Sequence, residues 1–190
     1  MSIFSDLCKD FTACQAAHQQ YWMACFQTAR SLARDFAIYI EAPGAYTEPD
    51  SGEVRPYVKL LQHKIIGGEN IPTEPEFDLH ALDHDGNGWL RFCLSIALEN
   101  GPNTYPNRRF AFYLKMKIEN SHVHMQLLDR SYRDFDLTDN DGKTALFDHM
   151  VQMLHITFRC PPEQGLGQQQ FGVFHIGRDA ALLENRSKIA

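Results

Sequence analysis

The alternation of apolar and polar residues between positions 89 and 137 constrains the fold more than any other feature of this sequence. In its first segment the apolar row is Leu90, Phe92, Leu94, Ile96 and Leu98, and the intervening row is Trp89, Arg91, Cys93, Ser95 and Ala97. A period of two is typical of a β-strand, because successive side chains leave opposite faces of the sheet. The segment therefore predicts a strand with one buried face and one wet face.

A second segment repeats the pattern and extends the sheet. Its apolar row is Phe110, Phe112, Leu114, Met116 and Ile118, and its polar row is Ala111, Tyr113, Lys115, Lys117 and Glu119. Asn120-Ser121 predicts a turn into a third strand, from His122 to about Leu137. Residues 57–66 and 77–82 also have strand character, whereas residues 42–56 and the stretch with Pro72 and Pro75 predict loops. Together these strand-like segments predict an antiparallel β-meander of four to six strands within residues 54–137.

The first forty residues predict a long helix over residues 3–41. The apolar seam recurs at intervals of three and four, through Phe4, Leu7, Phe11, Cys14, His18, Tyr21, Cys25, Ala29, Leu32, Phe36 and Tyr39, and neither Gly nor Pro occurs before Pro43-Gly44. Such a helix would be on the order of 50 Å long, whereas a compact domain of this size has a radius of gyration of about 16 Å. Either the helix breaks or part of it projects toward another surface.

A second helix is predicted at about residues 142–154, extending to 158 if the β-like segment 155–160 is not a strand. Thr138, Asp139, Asn140 and Asp141 offer capping oxygens at its start. Both helices are expected to pack on the apolar face of the sheet, which makes the fold class α+β. Residues 1–160 are interpreted as one domain, and residues 161–190 as a C-terminal tail with a short strand and a short helix.

Composition narrows the function classes. The formal charge of the 190 residues is -6 and the pI is about 5.8, which argues against a protein that grips phosphate backbones. The sequence shows no signal peptide and no apolar run long enough for a bilayer, so a cytoplasmic protein that does not contact a membrane is expected.

The five cysteines, which include no CxxC pair, are expected to be reduced and mostly packed. Cys93 and Cys160 are candidates for a catalytic thiolate.

The metal candidates are histidines. His122 and His124 share one face of a strand, and His80 and His84 lie near Asp83 and Asp85, so the four imidazoles are candidate ligands. Residues 83–88 also resemble the start of a calcium loop, but Leu94 stands where that loop needs a bidentate Glu. An ordinary hairpin turn and outward-facing histidines explain the same residues, and no cofactor is expected.

The sequence lacks the standard catalytic motifs and favours a non-catalytic protein. The interpretation is a small acidic protein-binding module of the inhibitor, immunity, chaperone or adaptor type, in a bacterial or phage accessory system. Homodimerisation through the first helix is a further hypothesis. The nominated contact residues are large aromatics and cations: Tyr21, Trp22, Phe26, Trp89, Arg91, Tyr113 and Lys115.

Single-stranded nucleic acid is an alternative partner for the sheet face. The alternative class is a ligand-binding or metal-dependent hydrolytic protein with a pocket between sheet and helices, marked by convergence of His63, Arg91 and His124.

Overall fold

The computed structural model describes residues 2–49, 51–66, 69–76, 83–84, 86–99, 101, 106, 108–128, 133–159 and 173–176. These residues contain two helices and ten strands, in the order α1 (Ile3–Tyr39), β1 (Ala45–Thr47), β2 (Val54–Pro56), β3 (Val58–Ile66), β4 (Glu69–Glu76), β5 (Asp83–His84), β6 (Leu90–Leu98), β7 (Arg108–Glu119), β8 (His122–Leu127), β9 (Asp134–Asp136), α2 (Asn140–Arg159) and β10 (Val173–Ile176). The predicted α+β class, with a long N-terminal helix and a second helix, is confirmed.

The main sheet is antiparallel and follows the order β4-β3-β6-β7-β8-β9, with β5 paired to β6 and β10 paired to β7. Leu94 lies opposite Phe112 in the register of β6 and β7, and Met116 lies opposite Met125 in that of β7 and β8. Directly opposed residues share a face. The predicted apolar rows therefore line one flank of the sheet, here called the inner face.

Both helices pack on the inner face, as predicted. From α1 the buried residues are Cys25, Ala29, Leu32 and Phe36, and from α2 they include Leu146, Phe147, Met150, Met153 and Leu154. Phe36 joins the three layers, because its ring centroid lies 6.3 Å from that of Phe112 and 5.3 Å from that of Phe147. Burial of each large side chain in this core contributes about 1.5–3 kcal/mol.

Three segments differ from their predicted structure. The predicted loop 42–56 contains the β1–β2 hairpin, which Gly52 helps to close at a positive φ of 71°. The proline-containing stretch 69–76 is β4, which lies at the end of the sheet, where proline is tolerated because an N–H that points away from the neighbouring strand makes no ladder hydrogen bond. The single long third strand is wrong: β8 and β9 are separate antiparallel neighbours.

The opposite flank, the outer face, is wet only in part, which corrects the prediction of one wet face. Its central residues Cys93, Ser95, Ala97, Ala111 and Tyr113 are all buried. Leu61 and Leu128 join Cys93, Ala111 and Tyr113 in a second small apolar cluster. The side chain of Arg109 fastens the β1–β2 hairpin near this cluster, since its guanidinium donates to Ser95 Oγ (2.9 Å), to the Pro56 carbonyl (3.0 Å) and to the Tyr46 hydroxyl (3.3 Å).

The predicted turn at Asn120-Ser121 and the predicted cap of α2 are both present. Asn120 and Ser121 both have positive φ, at 50° and 66°, as expected of a two-residue hairpin turn between β7 and β8. Asp139 caps α2 by accepting a hydrogen bond from the Gly142 N–H (2.8 Å). Residues 155–159 are helical, which settles the choice between helix and strand there.

Some predictions fall on residues outside the described ranges. They are the strand at 77–82, His80, Cys160 and the terminal helix of the tail. Within the predicted strand of the tail, Val173–Ile176 forms β10 against β7.

Candidate functional site

The N-terminal half of α1 projects beyond the core and presents an apolar seam that no described residue covers. We call residues 3–20 the arm; at 1.5 Å per residue it is about 27 Å long. Ile3, Phe4, Leu7 and Phe11 keep 83%, 76%, 61% and 63% of their surface exposed. Exposed apolar patches of this kind mark interaction sites. Of the two outcomes predicted for so long a helix, projection is the one observed.

The arm is helical for local reasons. Ser2 is its N-cap and accepts a hydrogen bond from the Ser5 N–H (3.2 Å). Asp6 in the first turn is favoured by the helix dipole and lies 3.8 Å from the Lys9 ammonium. An isolated helix of this length is only marginally stable in water, because most helix stability in proteins comes from packing an apolar face.

Tyr21 marks the junction between the arm and the core. Its hydroxyl donates to the Gly88 carbonyl (2.7 Å) and accepts from the Ile118 N–H (3.2 Å), so one side chain ties α1 to the turn before β6 and to the end of β7. Burial raises the pKa of Tyr21 to about 12, against the lowering effect of the Ile118 amide. This nominated contact residue therefore anchors the helix to its own sheet.

The other two nominated helix residues also contact the core. Trp22 and Phe26 are half-buried beside the core cluster. The Trp22 ring packs edge to face on Tyr21 at 4.8 Å, and the Arg30 guanidinium lies 5.8 Å from the Phe26 ring centroid. These aromatics leave only part of their surface for a partner.

Of the nominated sheet residues, Trp89, Arg91 and Lys115 are half-buried and Tyr113 is fully buried. The Lys115 ammonium lies 4.6 Å from the ring of half-buried Trp89, and half-buried Arg91 is opposite Lys115 across the strands. Tyr113 is fully buried, with the His63 ring 5.1 Å away, so it cannot be a surface contact. Burial also raises the pKa of Tyr113 well above its ordinary value.

The two strand histidines lie in a small polar network on the outer face. The rings of His122 and His124 are stacked with centroids 6.2 Å apart, and His122 Nδ1 lies 2.9 Å from Asp136 Oδ2. The Thr138 hydroxyl and His122 hold the pKa of Asp136 well below its ordinary value. His84, in β5, pairs through its backbone with Leu90 in β6. Within the described ranges, no group of three His, Cys, Asp or Glu side chains is arranged to hold a metal ion.

The cysteines are less packed than predicted. Cys25 and Cys93 are buried, but Cys8 and Cys14 are exposed on the arm. Burial raises the pKa of the Cys93 thiol well above its ordinary value, which disfavours the nucleophilic thiolate.

The arm's exposed apolar residues were missed as site residues, although Phe4, Leu7 and Phe11 were recognised as part of the seam. The signal was present in the sequence, because a seam longer than a domain of this size can cover must leave one end exposed. Which end remains exposed depends on where the sheet contacts α1.

No helix in the described part of the chain has both the length and the hydrophobicity to cross a bilayer. Comparisons with protein-family models, with curated proteins and with solved structures give no match.

Proposed function

We propose that this chain is a non-catalytic, cytoplasmic protein-binding module whose contact surface is the arm of α1. The single observation that carries the proposal is the exposure of Ile3, Phe4, Leu7 and Phe11 along one side of a projecting helix. A helix that lays such residues on a partner is a common mode of protein recognition. The inhibitor, immunity, chaperone or adaptor type fits a module that acts by occupying another protein's surface.

Thermodynamics supports a partner for the arm. Its large apolar side chains stay mostly exposed, and each could gain up to roughly 1.5–3 kcal/mol when covered. Ordering the arm costs conformational entropy that its own hydrogen bonds barely offset. Docking on a protein surface would supply the missing stabilisation.

The outer face is a secondary candidate surface. Around Trp89 it mixes the cations Arg91 and Lys115 with the anions Asp134 and Asp136, so it lacks the basic surplus of a nucleic-acid interface. A pocket between sheet and helices has less support, because the inner face and both helices meet in the packed cluster around Phe36 and Phe112. His63 is buried on the other flank.

Affinity capture with three matched baits tests the proposal. The arm variant is Leu7→Glu plus Phe11→Glu. The control is Ala16→Glu plus Met23→Glu, which adds the same charge at exposed positions on the opposite side of α1. Extracts of the source organism are passed over each bait, and bound proteins are quantified by mass spectrometry. Thermal unfolding of each bait shows that the core, which contains none of the four positions, is intact.

The expected result is a protein that is retained by the wild type and the control and lost, at least tenfold, by the arm variant. Chemical cross-links from that protein should map to residues 3–20. If the three baits retain the same proteins in the same amounts, the arm is not the contact surface and the proposal is wrong.

A further inference from the structure

The apolar seam has heptad spacing along the arm. From Phe4 to Cys25 the intervals alternate strictly between three and four, an average of about 3.5 residues. From Cys25 to Tyr39 the intervals are four, three, four and three, so the average spacing stays the same where the seam packs on the sheet. There the sheet covers the seam, whereas on the arm it stays exposed. The arm has the heptad spacing of a helix that pairs with another helix.

The residues that flank the seam favour close helix pairing. The heptad places Cys8, Asp10, Gln15 and Ala17 beside the apolar positions, so the arm's flanks carry a single charge. A membrane surface is a poor occupant, because helices that lie on lipid are rich in Lys and Arg, and the arm's only cation is Lys9. The seam of a second arm is equally apolar and has the same single flanking charge, so it is complementary to this surface.

On these grounds we infer that the occupant of the arm is the arm of a second copy of this chain, in antiparallel orientation. This inference rests on the proposed function and names the partner. The area is sufficient: the exposed surface of Ile3, Phe4, Leu7 and Phe11 is on the order of 500 Å² per chain. Two arms together would bury about 1,000 Å², the lower end of specific interfaces.

The direction follows from the continuity of the seam with the core. The stripe that is exposed on the arm becomes, beyond Tyr21, the stripe that the sheet covers through Cys25, Leu32 and Phe36. In a parallel pair each sheet would occupy the space needed by the other copy's helix. In an antiparallel pair the two sheets lie at opposite ends, and only the arms and the junction at Tyr21 overlap.

The heptad fixes the register. In antiparallel pairs each first apolar position of the heptad meets the second apolar position of the partner. The register that covers the whole exposed seam places Phe4 against Tyr21, Leu7 against His18 and Phe11 against Cys14 of the second copy. Residue 14 then lies about 4.5 Å along the axis from its own counterpart.

Sedimentation equilibrium of the purified full-length chain over a wide concentration range tests the dimer. The wild type and the Ala16→Glu plus Met23→Glu control should dimerise, and Leu7→Glu plus Phe11→Glu should raise the dimer Kd by roughly a hundredfold or more, since two buried apolar contacts become charged. A wild type that stays monomeric at every concentration, or an arm variant that dimerises as the control does, overturns the inference.

Cross-linking tests direction and register. In a background of Cys8→Ser and Cys160→Ser, chains that retain Cys14 are mixed with chains that carry Phe11→Cys plus Cys14→Ser. The antiparallel register predicts that a short thiol cross-linker joins residue 11 to residue 14 of the other chain several times faster than it joins either position to itself. Faster joining of Cys14 to Cys14 indicates a parallel pair and overturns the antiparallel register.

The outcomes separate this inference from the proposed function. A monomer that captures a different protein through the arm, as measured with the three baits, overturns self-pairing and leaves the binding function standing. A monomer that sediments with anionic phospholipid vesicles, and loses that binding in the arm variant, assigns the arm to a lipid surface and overturns both. A monomer that neither captures a protein through the arm nor binds vesicles also overturns both the self-pairing and the proposed function.

Discussion

Substitution Tyr21→Phe removes one oxygen atom and two hydrogen bonds at the junction of arm and core. The hydroxyl bridges the Gly88 carbonyl and the Ile118 N–H, at 2.7 Å and 3.2 Å, and the ring remains to fill its space. Each hydrogen bond contributes about 1 kcal/mol net, and loss of a partner costs more where the remaining group is shielded from water. Because Gly88 and Ile118 are both half-buried, we expect a loss of about 1–2.5 kcal/mol in the free energy of unfolding.

Urea denaturation followed by circular dichroism measures this loss, with Tyr39→Phe as the matched control. The Tyr39 hydroxyl also makes a hydrogen bond, to Asp148, but at an exposed site, so its removal should cost less than about 0.5 kcal/mol. If Tyr21→Phe is as stable as Tyr39→Phe, the hydroxyl bridge does not hold α1 to the sheet. The m-value should stay unchanged, since the same surface is exposed on unfolding.

Alkaline pH provides an independent check on the same side chain. The folded protein keeps Tyr21 protonated up to a pKa of about 12, whereas the unfolded chain loses that proton near pH 10. The contribution of Tyr21 is therefore fully present below pH 10 and is lost as the pH rises toward 12. Tyr21→Phe should lose less stability than the wild type across this window. An identical loss in both proteins would contradict the assigned environment of the hydroxyl.

Three further substitutions test the turn, the helix start and the outer-face network. Ser121→Gly should stabilise the protein by about 0.5–1 kcal/mol in urea denaturation, because Ser121 has a φ of 66° that glycine adopts without strain; no gain would contradict the turn geometry. Gly142→Ala should cost more than about 2 kcal/mol, because its Cβ would lie 1.6 Å from the Asp136 carbonyl oxygen, while Gly44→Ala, with nothing within 4 Å, should be nearly neutral. Because the folded-state pKa of Asp136 is lowered, its contribution is present above about pH 4 and is lost as the pH falls further. Asp136→Asn should therefore flatten the loss of stability below about pH 4, and an unchanged acid limb would argue against the Thr138 and His122 contacts.

The parts of the fold that sequence predicted are those with a local cause. The period-two rows placed Leu94 and Phe112 on one flank, and the polar residues around Asp139 placed the start of α2, because both signals act within a few residues. The proline-containing strand β4 was missed because Pro72 and Pro75 signal a loop unless the strand lies at a sheet edge, which is a property of the whole sheet. The burial of Tyr113 was missed for a similar reason, since the hairpin fastened by Arg109 and the ring of His63 come from distant parts of the chain.

The same difference between local signals and properties of the whole fold explains why the candidate site lies at the N-terminal end of α1. The sequence had instead predicted it at the aromatic residues near the core. Tyr21, Trp22 and Phe26 have the composition of binding hot spots, yet they lie within reach of the chain's own sheet. A contact within one chain has a high effective concentration, so it forms before any contact with a separate partner can. What remains for a partner is the part of the seam that the sheet cannot reach. In a helix of 37 residues whose buried residues begin at Cys25, that part is the arm with Phe4, Leu7 and Phe11.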